Sequence, residues 1–274
     1  RNSRGVDVTF SGFDCEIEVV TNSRKDDHEI EIYKDLRFSD KSAEKIIAEV
    51  RGMFHTGRQR LNAVPTRQNE HADVLLSGDA VGSFFQYFAM HTNASYQYMG
   101  VAKAKIGEAI TGADADPLNI RLVPTLDGSA KNAPYDETGM PAAERVLFEN
   151  GICRSYWGSL QHAHYIGMKN TTSMNNMVVE GGSKTLDELR SMPHIEITDF
   201  SAFDMDAVSG TCGGEIRLAY ESDGTISHPT TSGSLSARYD DVLKNLTFSK
   251  ETQQINNRVV PCAVLLRDVT VAGE

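Results

Sequence analysis

The side chains able to do chemistry fall in a few places along this chain. Cys153, His162 and His164 form the tightest grouping of soft donors. If the run around them is a strand, both histidines alternate onto one face with Cys153 across a hairpin, and thiolate plus imidazole is a donor set that binds zinc. A polar strand face whose histidines bond to neighbours or water satisfies the same pattern. Cys153 or Cys212 as a nucleophile needs a base beside it, and nothing in the sequence places one; a buried structural thiol needs nothing more. Gly210-Thr211-Cys212-Gly213-Gly214 has the glycine content of a phosphate cradle, but it runs into a strand pattern instead of opening a helix. The polar run Lys169 to Asn176 carries a single charge and many amides and hydroxyls, which suits contact with an extended peptide backbone and equally suits a solvated loop.

The bulk properties narrow the function classes. A chain of 274 residues with 40% hydrophobic content has enough apolar material for one large core or two modest ones. Its net charge of −11, with no Lys/Arg-rich run, repels a nucleic-acid backbone, so no nucleic-acid partner is expected. No apolar run approaches the roughly 20 residues that cross a bilayer, and no signal-like segment precedes the first strand pattern. No membrane partner is expected either. Cys15, Cys153, Cys212 and Cys262 show no CxxC spacing, which argues against a disulfide framework or a zinc knuckle and makes the cytoplasm the simplest compartment. An opening at Arg1 without Met suggests a fragment or processed product.

The elements that position these groups read as follows. Val6 to Phe10, Cys15 to Val20 and His28 to Tyr33 alternate apolar and polar, giving two or three antiparallel strands. Ala43 to Leu61 repeats apolar residues at helical spacing, with Ser39 or Asp40 as cap. Pro65 and Thr66 to Glu70 are a linker candidate. Ala72 to Leu76 is a short strand, and Val81, Phe84, Phe85 and Phe88 mark one buried face of the helix that follows. Thr111 to Tyr135 is a long loop region with a strand at Ile120 to Val123. Asn150-Gly151 and Ser222-Asp223-Gly224 are hairpin turns. A short helix begins near Thr185, capped by Ser183 or Thr185, another spans Ser236 to Leu246, and strands at Val259 to Leu266 and Val269 to Ala272 end the chain. Strands paired mostly by hairpins, as a sandwich or barrel-like sheet with a few packed helices, define an α+β fold and not a doubly wound one.

Several segments, in this order, resemble the TldD/PmbA family, zinc metallopeptidases also described as modulators of DNA gyrase. They are Gly78-Asp79-Ala80-Val81-Gly82-Ser83, Asp136 to Pro141, Phe148 to Ile152, Ser183 to Leu189, and the ending from Val260-Pro261 to Gly273; Asn2 to Val6 is similar to the end of the family's N-terminal domain. The resemblance implies that 1–68 is a remnant of that N-terminal domain and 69–274 the C-terminal one. In the metal-bearing branch the first segment reads His-Glu-Ala-Val-Gly-His, so Gly78 and Ser83 stand at the histidine positions and Asp79 at that of the water-activating glutamate. The family's third ligand, a cysteine, falls near Gln253, where this chain has none. A catalytic zinc needs three competent donors and an open position. The chain therefore resembles the PmbA-like (TldE-like) branch. That implies no cofactor, no catalytic residue of its own, and a role in holding or enclosing small peptides beside a TldD-like zinc-bearing subunit, or as a homodimer. Asp79 is then expected as a carboxylate at a capped helix start, favoured by the dipole. The alternative is an autonomous hydrolase or peptide-binding protein using Cys153, His162 and His164.

Overall fold

The computed structural model describes residues 1–3, 5–40, 42–136, 138–172 and 175–274. The chain begins with a long hairpin, β1 (Cys15–Lys25) and β2 (His28–Phe38), paired antiparallel throughout. Val6 to Phe10, expected as a strand, adopts no regular structure. Alternation alone does not make a strand where no hydrogen-bonded ladder forms. α1 (Ala43–Leu61) packs across this hairpin. Its cap is Ser42, whose hydroxyl accepts from the Lys45 amide, and not Ser39 or Asp40.

The expected linker is tied down. β3 (Val64–Pro65) pairs parallel with a later strand at Thr230 and Thr231, and the buried Thr66 accepts from the Glu274 amide. β4 (Asn69–Ser77) leads through Gly78 and Asp79 into α2 (Ala80–His91), then α3 (Ala94–Met99). β5 (Ile120–Val123) and the hairpin of β6 (Arg145–Glu149) with β7 (Ile152–Cys153) follow. Asn150 and Gly151 both have positive φ, 51° and 77°, as a type I′ turn requires. α4 (Leu160–Tyr165) and β8 (Asn176–Val179), which begins at the last residue of the polar run from Lys169, come next. α5 (Leu186–Arg190) starts at Thr185 with a full capping box to Glu188.

The second half is strand-rich. β9 (His194–Asp206) and β10 (Thr211–Ser222) form a long hairpin, followed by β11 (Ser227–Thr231) and β12 (Ser234–Arg238). The helix expected over 236–246 is instead the end of β12 and a single turn, α6 (Tyr239–Val242). Pairing on both sides, with β10 and the last strand, overrides local helix propensity there. β13 (Thr247–Phe248), β14 (Thr252–Ile255), β15 (Arg258–Pro261) and β16 (Ala263–Ala272) complete the chain.

Two sheets hold the core. β4, β9, β10, β12 and β16 close into a ring: β4 pairs β9 in parallel, and the other four junctions are antiparallel. β14, β15, β8, β5, β6 and β7 form an open sheet. The fold is α+β, mainly antiparallel, with a small barrel-like sheet, as the sequence predicts. Period two along β4 separates its faces: Val74 and Leu76 join the main core, while Leu75 meets Leu265 and Leu189 under α5.

α2 lies between the two sheets, touching β9 and β4 on one side and β15 on the other. Its burial is therefore not confined to one face. Val81, Phe84, Phe85 and Phe88 are buried as expected, but so are Gly82, Tyr87, Ala89 and His91. A helix covered all round has no amphipathic stripe to read.

Candidate functional site

A cleft of about 750 Å³ opens where α2 begins. β2 contributes Tyr33 and Lys34, α1 contributes Glu49, Met53 and His55, the β4–α2 turn contributes Gly78 and Asp79, Ser83 follows one turn later, and β9 supplies Thr198 to Phe203. Gly78, Asp79 and Ser83 are thus brought to one wall. Gln253 is not among the lining residues; on β14, its amide lies 3.4 and 3.3 Å from the carbonyls of Pro261 and Cys262.

The turn into α2 fixes what that wall can carry. Gly78 has φ +67°, and a Cβ there would lie 2.6 Å from the Thr198 carbonyl oxygen of β9. The backbone has closed on the space a side chain would need. Asp79 occupies the N-cap position, but its backbone is already helical and its side chain makes no cap hydrogen bond. The expectation of a side-chain cap is corrected here: the carboxylate is exposed and faces the cleft instead.

Its charge acts across the opening. Lys34 pairs with Glu49 at 2.9 Å. Burial pulls the Lys34 ammonium down, but Asp79, Glu49 and Asp199 outweigh it, and its pKa is raised. Burial pushes the Asp199 carboxyl up, and Asp79 adds to that against the opposing pull of Arg60, 3.8 Å away. Lys34, Glu49 and Asp199 were not visible as site residues in the sequence: they come from three separate elements and share no local spacing.

The other expected grouping is dispersed. Cys153 is buried at the end of β7, its thiol directed at the Ser155 carbonyl 3.9 Å away and its pKa pushed up to about 11 by burial. His162 and His164 lie on α4, a helix and not a strand, where two residues of separation turn them to different sides. His162 Nδ1 sits 3.0 Å from Ser159 Oγ, and its ring packs with Tyr98 and Tyr165. The polar loop from Lys169 lies partly outside the described residues at Ser173 and Met174; in its described part, the Thr171 hydroxyl donates to the Gly158 carbonyl.

A fold of this kind, with a barrel-like sheet, a buried helix held between it and a second sheet, and a cleft at that helix start, marks a protein class that comparison makes specific. The profile of the PmbA/TldA metallopeptidase C-terminal domain matches residues 69–273, and the chain belongs to the PmbA/TldD family. It is 22% identical over 223 residues to the metalloprotease PmbA homolog of Haemophilus influenzae, a match covering 78% of this chain and 48% of that protein, so the chain spans about half of this relative. Among solved structures it is similar in fold to a Thermotoga maritima protein described as a candidate modulator of a DNA gyrase, with TM-score 0.78 and 18% identity. It is likewise similar to TldE from Thermococcus kodakarensis, with TM-score 0.74 and 17% identity. Each of these covers 94% of this chain and 62% of the other.

A metallopeptidase family implies a metal, and the residues lining this cleft do not fit one. Gly78 has no donor and no room for one, Ser83 offers only a hydroxyl, and among the described residues no three His, Cys, Asp or Glu side chains are grouped to hold an ion.

Proposed function

We propose that this chain is a member of the family that has lost metal chemistry and serves as a peptide-holding subunit, enclosing small peptides for cleavage by a zinc-bearing, TldD-like partner. Gly78, Asp79 and Ser83 stand where that partner carries its two histidines and glutamate, and the position near Gln253 where it carries a cysteine. The observation that carries this reading is the β4–α2 turn. Its glycine has positive φ and sits against the Thr198 carbonyl, so a side chain placed there needs more than a single exchange: the backbone must also move. The cleft is roomy and lined by carboxylates, hydroxyls and the aromatic rings of Tyr33, Phe200 and Phe203. A cytoplasmic dimer, with this chain paired to that partner or to itself, is the assembly that fits the reading.

The test is reconstitution. Short peptides are incubated with this chain, with a metal-bearing homologue, and with both. Cleavage that rises severalfold only in the mixture supports the proposal; cleavage by the isolated chain, abolished by a chelator, refutes it.

A further inference from the structure

A second cavity, of about 580 Å³, lies beside the cleft, and His55 and Thr198 line both. It is built by the side of β9 that carries His194 and Glu196, by Asp187 and Arg190 of α5, and by Tyr220 of β10. Two of these groups are unusual for an open cavity: the His194 and Glu196 side chains are only 4% and 8% exposed.

Their hydrogen bonding leaves room for one more donor. Arg190 holds the Glu196 carboxylate with Nε and Nη2, at 2.8 and 2.6 Å, which fixes its orientation. His194 Nδ1 lies 2.6 Å from the Met192 carbonyl. A carbonyl only accepts, so Nδ1 carries the proton and, in the neutral ring, Nε2 presents a lone pair. Glu196 Oε2, another acceptor, lies 4.0 Å from Nε2. Glu196 Oε2 already accepts from Arg190 Nε but keeps a further lone pair, and the gap between it and His194 Nε2 is short enough for one donor nitrogen to bridge at ordinary lengths. Among the charged lining residues, Asp187 and Glu196 outnumber Arg190.

We infer that this cavity binds a primary ammonium group, with the nitrogen donating to His194 Nε2 and Glu196 Oε2 and with Asp187 supplying the remaining negative charge. This names the group that anchors a substrate peptide and rests on the peptide-holding reading above. An ammonium has three donors, so it can serve His194 Nε2 and the further lone pair of Glu196 Oε2 at once, which neither a carboxylate nor an apolar group does. The source is the α-amine of a peptide or the side chain of lysine. The shared lining of His55 and Thr198 lets a peptide anchored here extend into the larger cleft.

Binding to the purified chain is measured by calorimetry with trialanine, Nα-acetyl-trialanine, Nα-acetyl-lysine amide and its Nε-acetylated form. The expected result is saturable binding of at least one free amine, weakened about tenfold or more by its acetylation and by Glu196→Gln, as loss of a charge-assisted hydrogen bond requires. His194→Asn, which keeps a donor for the Met192 carbonyl and removes Nε2, gives the same loss and decides the matter where Glu196→Gln does not fold. The arm that binds identifies the source. Binding of neither amine, binding indifferent to acetylation, or binding unchanged in the folded variants overturns the inference. The two claims separate in reconstitution: if the mixture is active but cleaves acetylated and free peptides alike, the ammonium site is wrong and the subunit reading stands. If the free amine binds as described but no mixture is active, the subunit reading is wrong and the ammonium site stands.

Discussion

The two ends of α2 are built on opposite terms. Its far end is closed: Tyr87 stacks on Tyr239 with ring centroids 3.7 Å apart, Tyr239 donates to the Phe84 carbonyl at 2.9 Å, and His91 is fully buried with Nδ1 accepting from the Lys103 amide at 3.1 Å. Its near end is open, with Asp79 exposed to the cleft and Gly78 pressed against β9. The residue type best suited to bind a metal, histidine, is at the closed end, where it serves packing. At the open end, where chemistry has access to solvent and substrate, α2 itself carries no histidine, and His55 lines the cleft from α1. Chemical competence in this protein follows access to a cavity, and His91, which reaches none of the cavities described, is a structural residue.

That contrast can be broken or sharpened by substitution. At the closed end, Tyr239→Ala removes a ring stacked on two neighbours and a buried hydrogen bond, and should cost about 3–5 kcal/mol by urea unfolding. A cost near zero would mean the far end is not the rigid one. At the open end, Gly78→His should cost about 1–3 kcal/mol from left-handed strain alone. Combined with Ser83→His, it should not yield stoichiometric zinc on dialysis, because the side chain meets the Thr198 carbonyl.

Acid titration discriminates the ends further. Burial, aided by the charge of Lys103, lowers the His91 pKa from 6.5 to about 4, so the unfolded chain takes up this proton first as pH falls. Stability from this group is complete above about pH 6.5 and is lost progressively toward pH 4; His91→Asn should flatten the slope of unfolding free energy over that window. The smallest effects compare two helix starts. Thr185→Ala breaks a capping box and should cost about 1 kcal/mol. Asp79→Ala removes no cap hydrogen bond and should change stability by less than about 0.5 kcal/mol.

Features set by neighbours in sequence were legible before the fold was known. The Asn150-Gly151 turn, the span of α1, the Thr185 start of α5 and the β10–β11 hairpin each rest on chemistry within a few residues. What escaped depends on distant partners. The all-round burial of α2 follows from two sheets meeting on it, and the strand at 234–238 from closure of the barrel by β10 and β16. His162 and His164 sit in six residues short enough to read as either helix or strand. At the site, the resemblance located Gly78, Asp79 and Ser83, which do share a wall. It could not supply Lys34, Glu49 and Asp199, or the pairing of His194 with Glu196 across from Arg190, since these come together only where β2, α1, α5 and β9 meet in the folded chain.

The central claim is that this chain holds the cleft of a metallopeptidase family without its metal chemistry. Elemental analysis of the purified chain after exposure to excess zinc and exhaustive dialysis, with peptidase activity followed on the same sample, tests it most directly. The account predicts far less than one zinc per chain and no chelator-sensitive cleavage. One tightly held zinc per chain, with peptidase activity lost on chelation and restored by zinc, would contradict it.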